Sequence, residues 1–154
     1  MDHETSAITN PPSIYIVEPS RQSGINCRFG MKGVVAENHF DVTRNVIVVL
    51  GGQRRYLLAH PSQAQNMELY PEGHPSARHS AVDWSNPDLD SYPRFHHAQI
   101  NEVVLQAADV LYLPTNWFHH IVSLELNYQC NTRSGRTSDY DMFIRDAGFN
   151  FHED

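Results

Sequence analysis

The stretch from Val34 to His60 reads VVAENHFDVTRNVIVVLGGQRRYLLAH, and its pattern decides the fold. It contains three short runs that are rich in Val, Ile, Leu and Tyr, namely Val34–Phe40, Asn45–Leu50 and Arg55–His60. Runs of this length and composition are typical of β-strands. A Gly-Gly pair at 51–52 separates the last two runs, and such a pair is a common hairpin turn. The stretch therefore predicts three strands, of which the last two form a hairpin.

Five more runs of the same kind extend this pattern along the chain. They are Asn26–Met31, Glu102–Gln106, Val110–Pro114, His119–Leu124 and Asn127–Arg133. A further short strand is predicted at Ser13–Val17, before the first of these runs. No long segment shows an apolar period of 3.6 residues, as an amphipathic helix would. Eight short strands predict an all-β protein, and that number suits a jelly roll.

The stretch 61–100 separates the fourth and fifth predicted strands. A connection of this length inside a compact domain is usually functional or contains short elements of its own. Asn86-Pro87 resembles a helix cap followed by proline at the first helical position, so we expect a short helix at about 87–91. A second short helix is predicted over 138–147, with Ser138 as its cap and a glycine after its end.

The length of 154 residues fits one domain, which can bury a sizeable core without disulfide staples. The first residues are polar and end in a Pro-Pro pair, which predicts an extended lead-in over residues 1–24. We expect the strand-rich domain to occupy residues 25–135. A short C-terminal helix and a tail then occupy residues 136–154.

Charge and cysteine content disfavour several classes of protein. The formal net charge of −7 argues against nonspecific binding to nucleic acid or anionic lipid. No apolar run approaches the roughly 20 residues that cross a bilayer, and the acidic N-terminus has no signal-peptide pattern. Cys27 and Cys130 lack the spacing of a zinc site or a disulfide framework, although both lie in predicted strands, which leaves a bridge between them open. We therefore expect an intracellular protein, cytoplasmic or nuclear.

His39-Phe40-Asp41 is a His-x-Asp motif at the end of a predicted strand. Residues two apart in a strand point to the same face, so His39 and Asp41 can converge on one metal ion. A histidine from a distant strand would complete a set of two histidines and one carboxylate, which suits Fe(II) and leaves coordination positions open. The local pattern leaves His119 and His120 as equal candidates for that histidine.

Eight short motifs follow one another between Gly30 and Gly135. They are Gly30-Met31-Lys32-Gly33, His39-Phe40-Asp41, Gly51-Gly52-Gln53-Arg54-Arg55, Leu69-Tyr70-Pro71, Asn86-Pro87-Asp88, Tyr92-Pro93-Arg94-Phe95, Asp109-Val110-Leu111-Tyr112-Leu113-Pro114 and Trp117-Phe118-His119-His120. In this order and spacing they resemble the JmjC/cupin-like 2-oxoglutarate oxygenases, and among these the factor-inhibiting-HIF-like hydroxylases. The resemblance implies that the jelly roll is a double-stranded β-helix.

The resemblance also implies a metal and two co-substrates. The family holds Fe(II) through the His-x-Asp motif and through the fifth residue after the proline of its later motif. Counted from Pro114, that residue is His119, so the resemblance selects His39, Asp41 and His119 as ligands. The co-substrates of the family are 2-oxoglutarate and O₂.

For 2-oxoglutarate, the resemblance implies a pocket in this chain. The family anchors the far carboxylate with a basic residue nine positions after an asparagine, and here these are Arg54 and Asn45. The family usually has lysine at that position, and Arg55 is a competing candidate. Asn131 occupies the position of the asparagine in the family's final strand, so Asn45 and Asn131 are expected to line the pocket.

For the reaction, the resemblance implies oxidative decarboxylation of 2-oxoglutarate to succinate and CO₂, coupled to hydroxylation of a substrate. The long loop of the family meets a peptide substrate near the positions of Arg78 and His79. We therefore expect a protein side chain as substrate and consider nucleic acid unfavoured by the acidic charge. The sequence leaves open whether the outcome is hydroxylation or demethylation.

Two positions in the pocket depart from the family, and they keep rival functions open. A family threonine is Ala36 here, and the aromatic residue after the last asparagine is Arg133. A family tyrosine from an upstream segment has only Tyr15 as a replacement. One rival is a catalytically inactive JmjC-like binding module, which these departures favour. The other is a metal-binding cupin that does not use 2-oxoglutarate.

Overall fold

Eight β-strands form two four-stranded antiparallel sheets in the computed structural model, which describes residues 18–151. The strands are β1 (Gln22–Gly30), β2 (Val35–Phe40), β3 (Asn45–Gly51), β4 (Gln53–Ala59), β5 (Asn101–Gln106), β6 (Val110–Leu113), β7 (Phe118–Ser123) and β8 (Asn127–Ser134). Each strand overlaps one of the eight runs predicted from Asn26 onward. The prediction of an all-β jelly roll of the cupin type is confirmed. The predicted strand Ser13–Val17, including Tyr15, lies outside the described residues.

The chain crosses between the two sheets at almost every turn. Sheet A has the order β1-β8-β3-β6, and sheet B has the order β2-β7-β4-β5. Of the seven connections between consecutive strands, only the one from β4 to β5 joins neighbours in the same sheet, and this connection contains the long loop 60–100. Such winding between two facing sheets is the arrangement that the double-stranded β-helix predicts.

The predicted hairpin at 51–52 is wrong, because β3 and β4 lie in different sheets. Gly51 pairs with Tyr128 in sheet A, whereas Gln53 pairs with Gln106 in sheet B. Gly52 has a φ of +68°, and a Cβ atom there would overlap the backbone of Leu126. The glycine pair therefore serves a sharp corner between the sheets, where the backbone passes close to a neighbouring turn.

Two apolar clusters lie on the two faces of sheet B. Alternate residues of a strand point to opposite faces, so β4 contributes Tyr56 to one cluster and Ala59 to the other. The inner cluster fills the space between the sheets and contains Ile47, Val49, Tyr56, Leu105 and Leu113. The outer cluster lies under the long loop and the C-terminal helix and contains Phe40, Ala59, Ala64, Met67, Val82, Trp84, Phe95, Phe118 and Ile144. The outer cluster therefore attaches the long loop to the sheet that carries His39 and His119.

The long loop contains short 3-10 helices, but they lie at Pro61–Asn66 and Pro93–His97, and not at 87–91. The predicted helix at 87–91 is wrong in position. The side chain of Asp88 accepts hydrogen bonds from the backbone N–H groups of Asp90 and Ser91, at 3.2 and 3.1 Å. These bonds stabilise a local turn in place of a helix.

A short helix follows the last strand, as predicted, but it is shorter than expected. Helix α1 spans Asp141–Asp146 and has no side-chain cap, whereas Ser138 only accepts a backbone hydrogen bond from Asp141. Gly148 follows the helix with a φ of +93°, which is a common way for a helix to end. None of the helices in residues 18–151 has the length and apolarity that a membrane crossing requires.

Cys27 and Cys130 face each other across the ladder between β1 and β8 and form a disulfide. The inference from cysteine spacing against a disulfide is therefore wrong, and the open alternative of a bridge is correct. Spacing along the chain does not reveal that two strands pair, since the two residues are 103 positions apart. The cysteines therefore no longer support the expectation of a reducing, intracellular compartment, because disulfides persist mainly in oxidising ones.

We expect the disulfide to stabilise the edge strand β1. The double variant Cys27→Ser/Cys130→Ser should lower the free energy of unfolding by about 2–4 kcal/mol, because a crosslink across a long loop restricts the unfolded chain. Urea denaturation of the oxidised protein and of the variant measures this difference. Reductant should destabilise the wild type and leave the variant unchanged. Two free thiols in the untreated denatured protein would contradict the assignment.

Candidate metal centre

His39, Asp41 and His119 lie together between the two sheets, and their possible ligand atoms all lie within 4.8 Å of one another. His39 is in β2 and His119 is in β7, where the two residues are direct cross-strand partners. Their ring centroids are 4.2 Å apart, and His119 Nε2 is 3.8 Å from Asp41 Oδ2. The structure therefore brings together the three residues that the motifs selected.

The strand geometry explains why His119 and not its neighbour reaches this place. His120 lies on the outer face of sheet B, where its ring is parallel to Trp84 and its Nδ1 is 3.6 Å from Glu37. The β2–β7 ladder has a register shift between Ala36 and His39, which inserts an extra residue into β2. As a result Ala36 and His39, which are three apart, both line the same cavity.

The hydrogen bonds of the two histidines test whether a metal ion fits here. His39 Nδ1 lies 2.8 Å from the carbonyl oxygen of Glu37, and His119 Nδ1 lies 3.0 Å from that of Trp117. A carbonyl oxygen can only accept, so each Nδ1 carries the hydrogen and each Nε2 keeps its lone pair. Two imidazole nitrogens and one carboxylate form the donor set that suits non-haem Fe(II). The residues fit the metal that the family implies.

Burial keeps these imidazoles neutral near pH 7. It lowers the pKa of His39, and the backbone hydrogen bond to Glu37 and the charge of Asp41 only partly oppose this effect. Burial, together with the nearby His39, lowers the pKa of His119 from 6.5 to about 4. A metal ligand must be unprotonated, so both histidines are prepared to bind a cation at neutral pH.

Asp41 is paired with two arginines. Arg133 Nη2 lies 2.6 Å from Asp41 Oδ2, and Arg78 Nη1 lies 3.6 Å from Asp41 Oδ1. The Asp41 side chain is only 12% exposed, whereas Arg133 and Arg78 are 37% and 42% exposed, so the ion pairs are partly shielded from water. The carboxylate that would bind the metal ion is thus paired with the guanidinium groups of Arg133 and Arg78.

The two candidate substrate residues lie beside the metal centre. His79 forms an isolated bridge with His39 on the free edge of β2, and the two rings stack with centroids 5.0 Å apart. The backbone carbonyl of Arg78 accepts a hydrogen bond from Phe40 N–H at 3.2 Å, and Arg78 has a φ of +74°. A positive φ is uncommon outside glycine, and such residues often occur at functional sites. The long loop therefore continues sheet B next to the two histidines.

A cavity of about 50 Å³ opens at the triad and is lined by polar side chains. Both predicted pocket asparagines contribute to it, and Asn131 Nδ2 donates to Asn45 Oδ1 at 2.9 Å. The remaining polar lining is Arg28, Gln129 and Arg133. The residues at positions 129, 131 and 133 of β8 alternate and so share one face. This alternation of polar residues in the last strand was the available signal for Gln129, which the sequence reasoning missed.

Arg54 is buried between the sheets but does not line this cavity. Its Nε donates a hydrogen bond to Asn127 Oδ1, and only 8% of the residue is exposed. Tyr56, two residues along the same face, donates to Gln129 Oε1 at 2.8 Å, and Gln129 lines the cavity. Burial raises the pKa of Tyr56, which keeps its hydroxyl protonated as a donor. The hydrogen-bonded pair of Tyr56 and Gln129 thus lies between the triad cavity and Arg54.

The competing candidate, Arg55, faces the other way. Its Nη2 lies 2.9 Å from Glu102 Oε2, and its side chain is 42% exposed. Neighbouring residues of a strand point to opposite faces, so only one of the two arginines can face the space between the sheets. That residue is Arg54.

Gly30 is the residue that gives Arg54 its room. A Cβ atom at this position would lie 2.6 Å from Ser123 Oγ and 2.8 Å from Arg54 Nη2. Both distances are shorter than carbon contacts of this kind allow. Packing therefore explains the glycine at position 30, since the missing side chain lets the Arg54 guanidinium approach the backbone of β1.

A jelly roll with a His-x-Asp pair and a distant histidine on one inner face defines a cupin-type metal site, and comparisons with known proteins agree. The family model described as "Cupin-like domain" matches residues 3–136. Lysine-specific demethylase JMJ31 of Arabidopsis thaliana is 32% identical over 111 residues, which are 71% of this chain and 20% of that protein.

Two further relatives show a similar degree of likeness. tRNA wybutosine-synthesizing protein 5 of Mus musculus is 36% identical over 104 residues, which are 68% of this chain and 31% of that protein. Lysine-specific demethylase 8 of Xenopus tropicalis is 34% identical over 105 residues, which are 68% of this chain and 23% of that protein.

The chain belongs to the cupin-like domain family, among its members of the JmjC type. Two of these three relatives are named as lysine-specific demethylases. The matched part of the chain spans 20 to 31% of the length of these three relatives. None of the three is named as a factor-inhibiting-HIF-like hydroxylase, so that closer resemblance stays a prediction.

The Gly30→Ala variant tests the packing around Arg54. We expect it to lower the free energy of unfolding by about 1–3 kcal/mol, because the added methyl group forces Arg54 and Ser123 to shift. Gly51→Ala is the matched control, since a Cβ atom at that position meets no other atom within 4 Å. Urea denaturation of both variants measures the effect. Equal stability of the two variants would contradict the close approach.

The pH dependence of stability tests the burial of His119. In the unfolded chain this histidine binds a proton at about pH 6.5, whereas the folded protein does so only at about pH 4. Between these values the unfolded state holds more protons, so the free energy of unfolding must fall as the pH falls. This one group contributes a slope of at most about 1.4 kcal/mol per pH unit.

Denaturation of the metal-free protein at several pH values, with a chelator present, measures this slope. His119→Gln should have a smaller slope between about pH 6.5 and 4, because it lacks the titrating group. His96→Gln removes an exposed histidine and should keep the wild-type slope. An unchanged slope in His119→Gln would show that the imidazole is accessible to protons in the folded state.

Proposed function

We propose that this chain is an Fe(II)- and 2-oxoglutarate-dependent oxygenase. The observation that carries the proposal is the convergence of His39, Asp41 and His119 within 4.8 Å, with the Nε2 atom of each histidine left free by a bond from its Nδ1 to a carbonyl oxygen. A metal-ligating histidine usually donates the N–H of one ring nitrogen to a carbonyl or carboxylate oxygen, and its other ring nitrogen binds the ion. The cupin-like family membership supports the same assignment.

Within the proposal, His39, Asp41 and His119 hold Fe(II). Bound iron would supply the redox chemistry that activates O₂ for attack on a C–H bond. The carbonyl groups of Glu37 and Trp117 orient the two imidazoles and fix their tautomers. The apolar inner cluster next to the triad limits the access of water.

The proposal assigns 2-oxoglutarate to the space between the triad and Arg54. Arg54 would anchor the far carboxylate, since a guanidinium can bind both oxygens of a carboxylate at once. Its position on the inner face supports this role over Arg55, which is paired with Glu102 on the outer face. Asn45 and Asn131 would line the near end of the co-substrate, where they already share a hydrogen bond.

We infer that the substrate is a protein side chain and that the outcome is a hydroxylated carbon. Arg78 and His79 support a peptide site, because the loop that carries them extends sheet B beside the triad. The predicted resemblance to factor-inhibiting-HIF-like hydroxylases favours stable hydroxylation, whereas two of the relatives are named as lysine-specific demethylases. The net charge of −7 opposes a nucleic-acid substrate, although one relative is named as a tRNA wybutosine-synthesizing protein. We further propose an intracellular location, cytoplasmic or nuclear.

Anaerobic titration with Fe(II) and then 2-oxoglutarate tests the proposal. A visible metal-to-ligand charge-transfer band should appear when 2-oxoglutarate chelates the bound iron. His39→Ala should abolish the band. Arg54→Ala should weaken 2-oxoglutarate binding by about ten- to a hundredfold, because hydrogen bonds to charged groups contribute about 1.5–3 kcal/mol. Arg55→Ala is the matched control and should behave like the wild type.

The other outcomes identify the rival functions. Metal binding without the band would indicate a metal-binding cupin that does not use 2-oxoglutarate. Failure to bind any metal would indicate a catalytically inactive JmjC-like binding module. Loss of the band in Arg55→Ala, with Arg54→Ala unaffected, would reverse the assignment of the anchor.

A further inference from the structure

We propose that Arg133 couples the binding of the metal to the binding of the anionic co-substrate. Without an anion, its guanidinium holds Asp41 and weakens metal binding. With an anion in the cavity, the guanidinium binds the anion and releases Asp41 to the metal. This inference rests on the proposed function, but it concerns a residue at which this chain departs from the family pattern.

The first observation is that Arg133 and a metal ion would compete for one oxygen atom. Arg133 Nη2 lies 2.6 Å from Asp41 Oδ2. The same Oδ2 is 3.8 Å from His119 Nε2, so it is an oxygen on the side of the triad where the ion would lie. A charge-assisted hydrogen bond at this distance is strong, and it is partly shielded from water because Asp41 is 12% exposed. A cation can use this oxygen fully only if Arg133 withdraws.

The second observation is that Arg133 has unused donor capacity. Its Nε is buried and has no hydrogen-bond partner among residues 18–151. Leaving a buried donor unpaired is unfavourable, and a guanidinium has five donors in a fixed planar arrangement. Arg133 lines the triad cavity, so a carboxylate bound there could pair with it through two hydrogen bonds.

The third observation is the balance of charge around the cavity. Its lining contains one carboxylate, Asp41, and two guanidinium groups, Arg28 and Arg133. A divalent cation would therefore enter a cavity whose lining is already positive. An anion that enters with it removes this repulsion.

The three observations make Arg133 a positioning residue that acts through Asp41. Linkage requires that an anion which raises the affinity for the metal is itself bound more tightly by the same factor when the metal is present. Direct chelation of the metal by 2-oxoglutarate provides one part of this coupling in any such site. The contribution of Arg133 to the coupling between metal and anion binding is the part that is lost when its charge is removed.

Calorimetric titration of the metal-free protein with Co(II), with and without saturating 2-oxoglutarate, measures the coupling. Arg133→Gln should bind Co(II) alone about tenfold more tightly than the wild type, and the gain from 2-oxoglutarate should shrink by a similar factor. Arg133→Lys keeps the charge and should stay close to the wild type. Arg21→Gln removes an exposed arginine that is paired with Glu18, and it should leave both affinities unchanged.

Succinate gives a second test that needs no variant. It carries the carboxylates of the co-substrate but lacks the keto group, so chelation contributes little. In the wild type, succinate should still raise the affinity for Co(II), because the anion draws Arg133 away from Asp41. If succinate has no effect, or if Arg133→Gln binds Co(II) no more tightly than the wild type, the coupling by Arg133 is refuted.

The two proposals fail in different ways. If Co(II) binds but 2-oxoglutarate does not, the proposed oxygenase function fails, whereas tighter Co(II) binding by Arg133→Gln would still support the competition for Asp41. If the charge-transfer band forms normally and Arg133→Gln leaves both affinities unchanged, the oxygenase function stands and the coupling is refuted. Circular dichroism of each variant confirms that it folds before its affinities are compared.

Discussion

The pairing of β2 with β7 is the interaction on which the candidate site depends. This ladder makes His39 and His119 direct partners, although they are far apart along the chain. Side chains of direct partners lie on the same face of a sheet, so register alone brings the two imidazoles together. A shift of one residue would move His119 to the outer face and replace it with a neighbour. The Phe40–Phe118 contact on the outer face helps to hold this register, because its apolar burial fixes which residues face inward.

The same alternation separates the two kinds of chemistry in sheet B. Its outer face carries an apolar cluster that attaches the long loop, which in turn places Arg78 and His79 next to the triad. The polar side chains of its inner face include His39 and His119, and apolar residues of the inner cluster lie on the same face. Arg54 and Tyr56 extend this polar side away from the triad through Gln129. The fold therefore offers a continuous set of polar groups on one side of a mostly apolar interior.

Arginines dominate the electrostatics of the site. Asp41 is the carboxylate of the triad, and Arg133 and Arg78 both pair with it. Buried carboxylates need such partners, because an isolated charge in a protein interior is strongly unfavourable. In this protein the partner of Asp41 is Arg133, at a position where the resemblance described from the sequence leads us to expect an aromatic residue. A bound metal ion, the Arg133 guanidinium and the co-substrate carboxylate would thus interact electrostatically, so that a change in one affects the binding of the others.

Much of the architecture follows from local pattern alone. Short β-rich runs indicated the eight strands, and the i, i+2 rule placed His39 and Asp41 on one face, since both signals depend only on neighbours in the chain. Local pattern could not choose between His119 and His120. The resemblance to the family, counted from Pro114, was needed for that choice.

Only the tertiary structure decided which strands pair. It showed that the glycines at 51–52 form a corner between sheets, that Cys27 and Cys130 are bonded, and that Arg133 holds Asp41. Each of these depends on contacts between residues far apart in sequence. Such contacts are set by sheet order and register, which a local pattern does not contain.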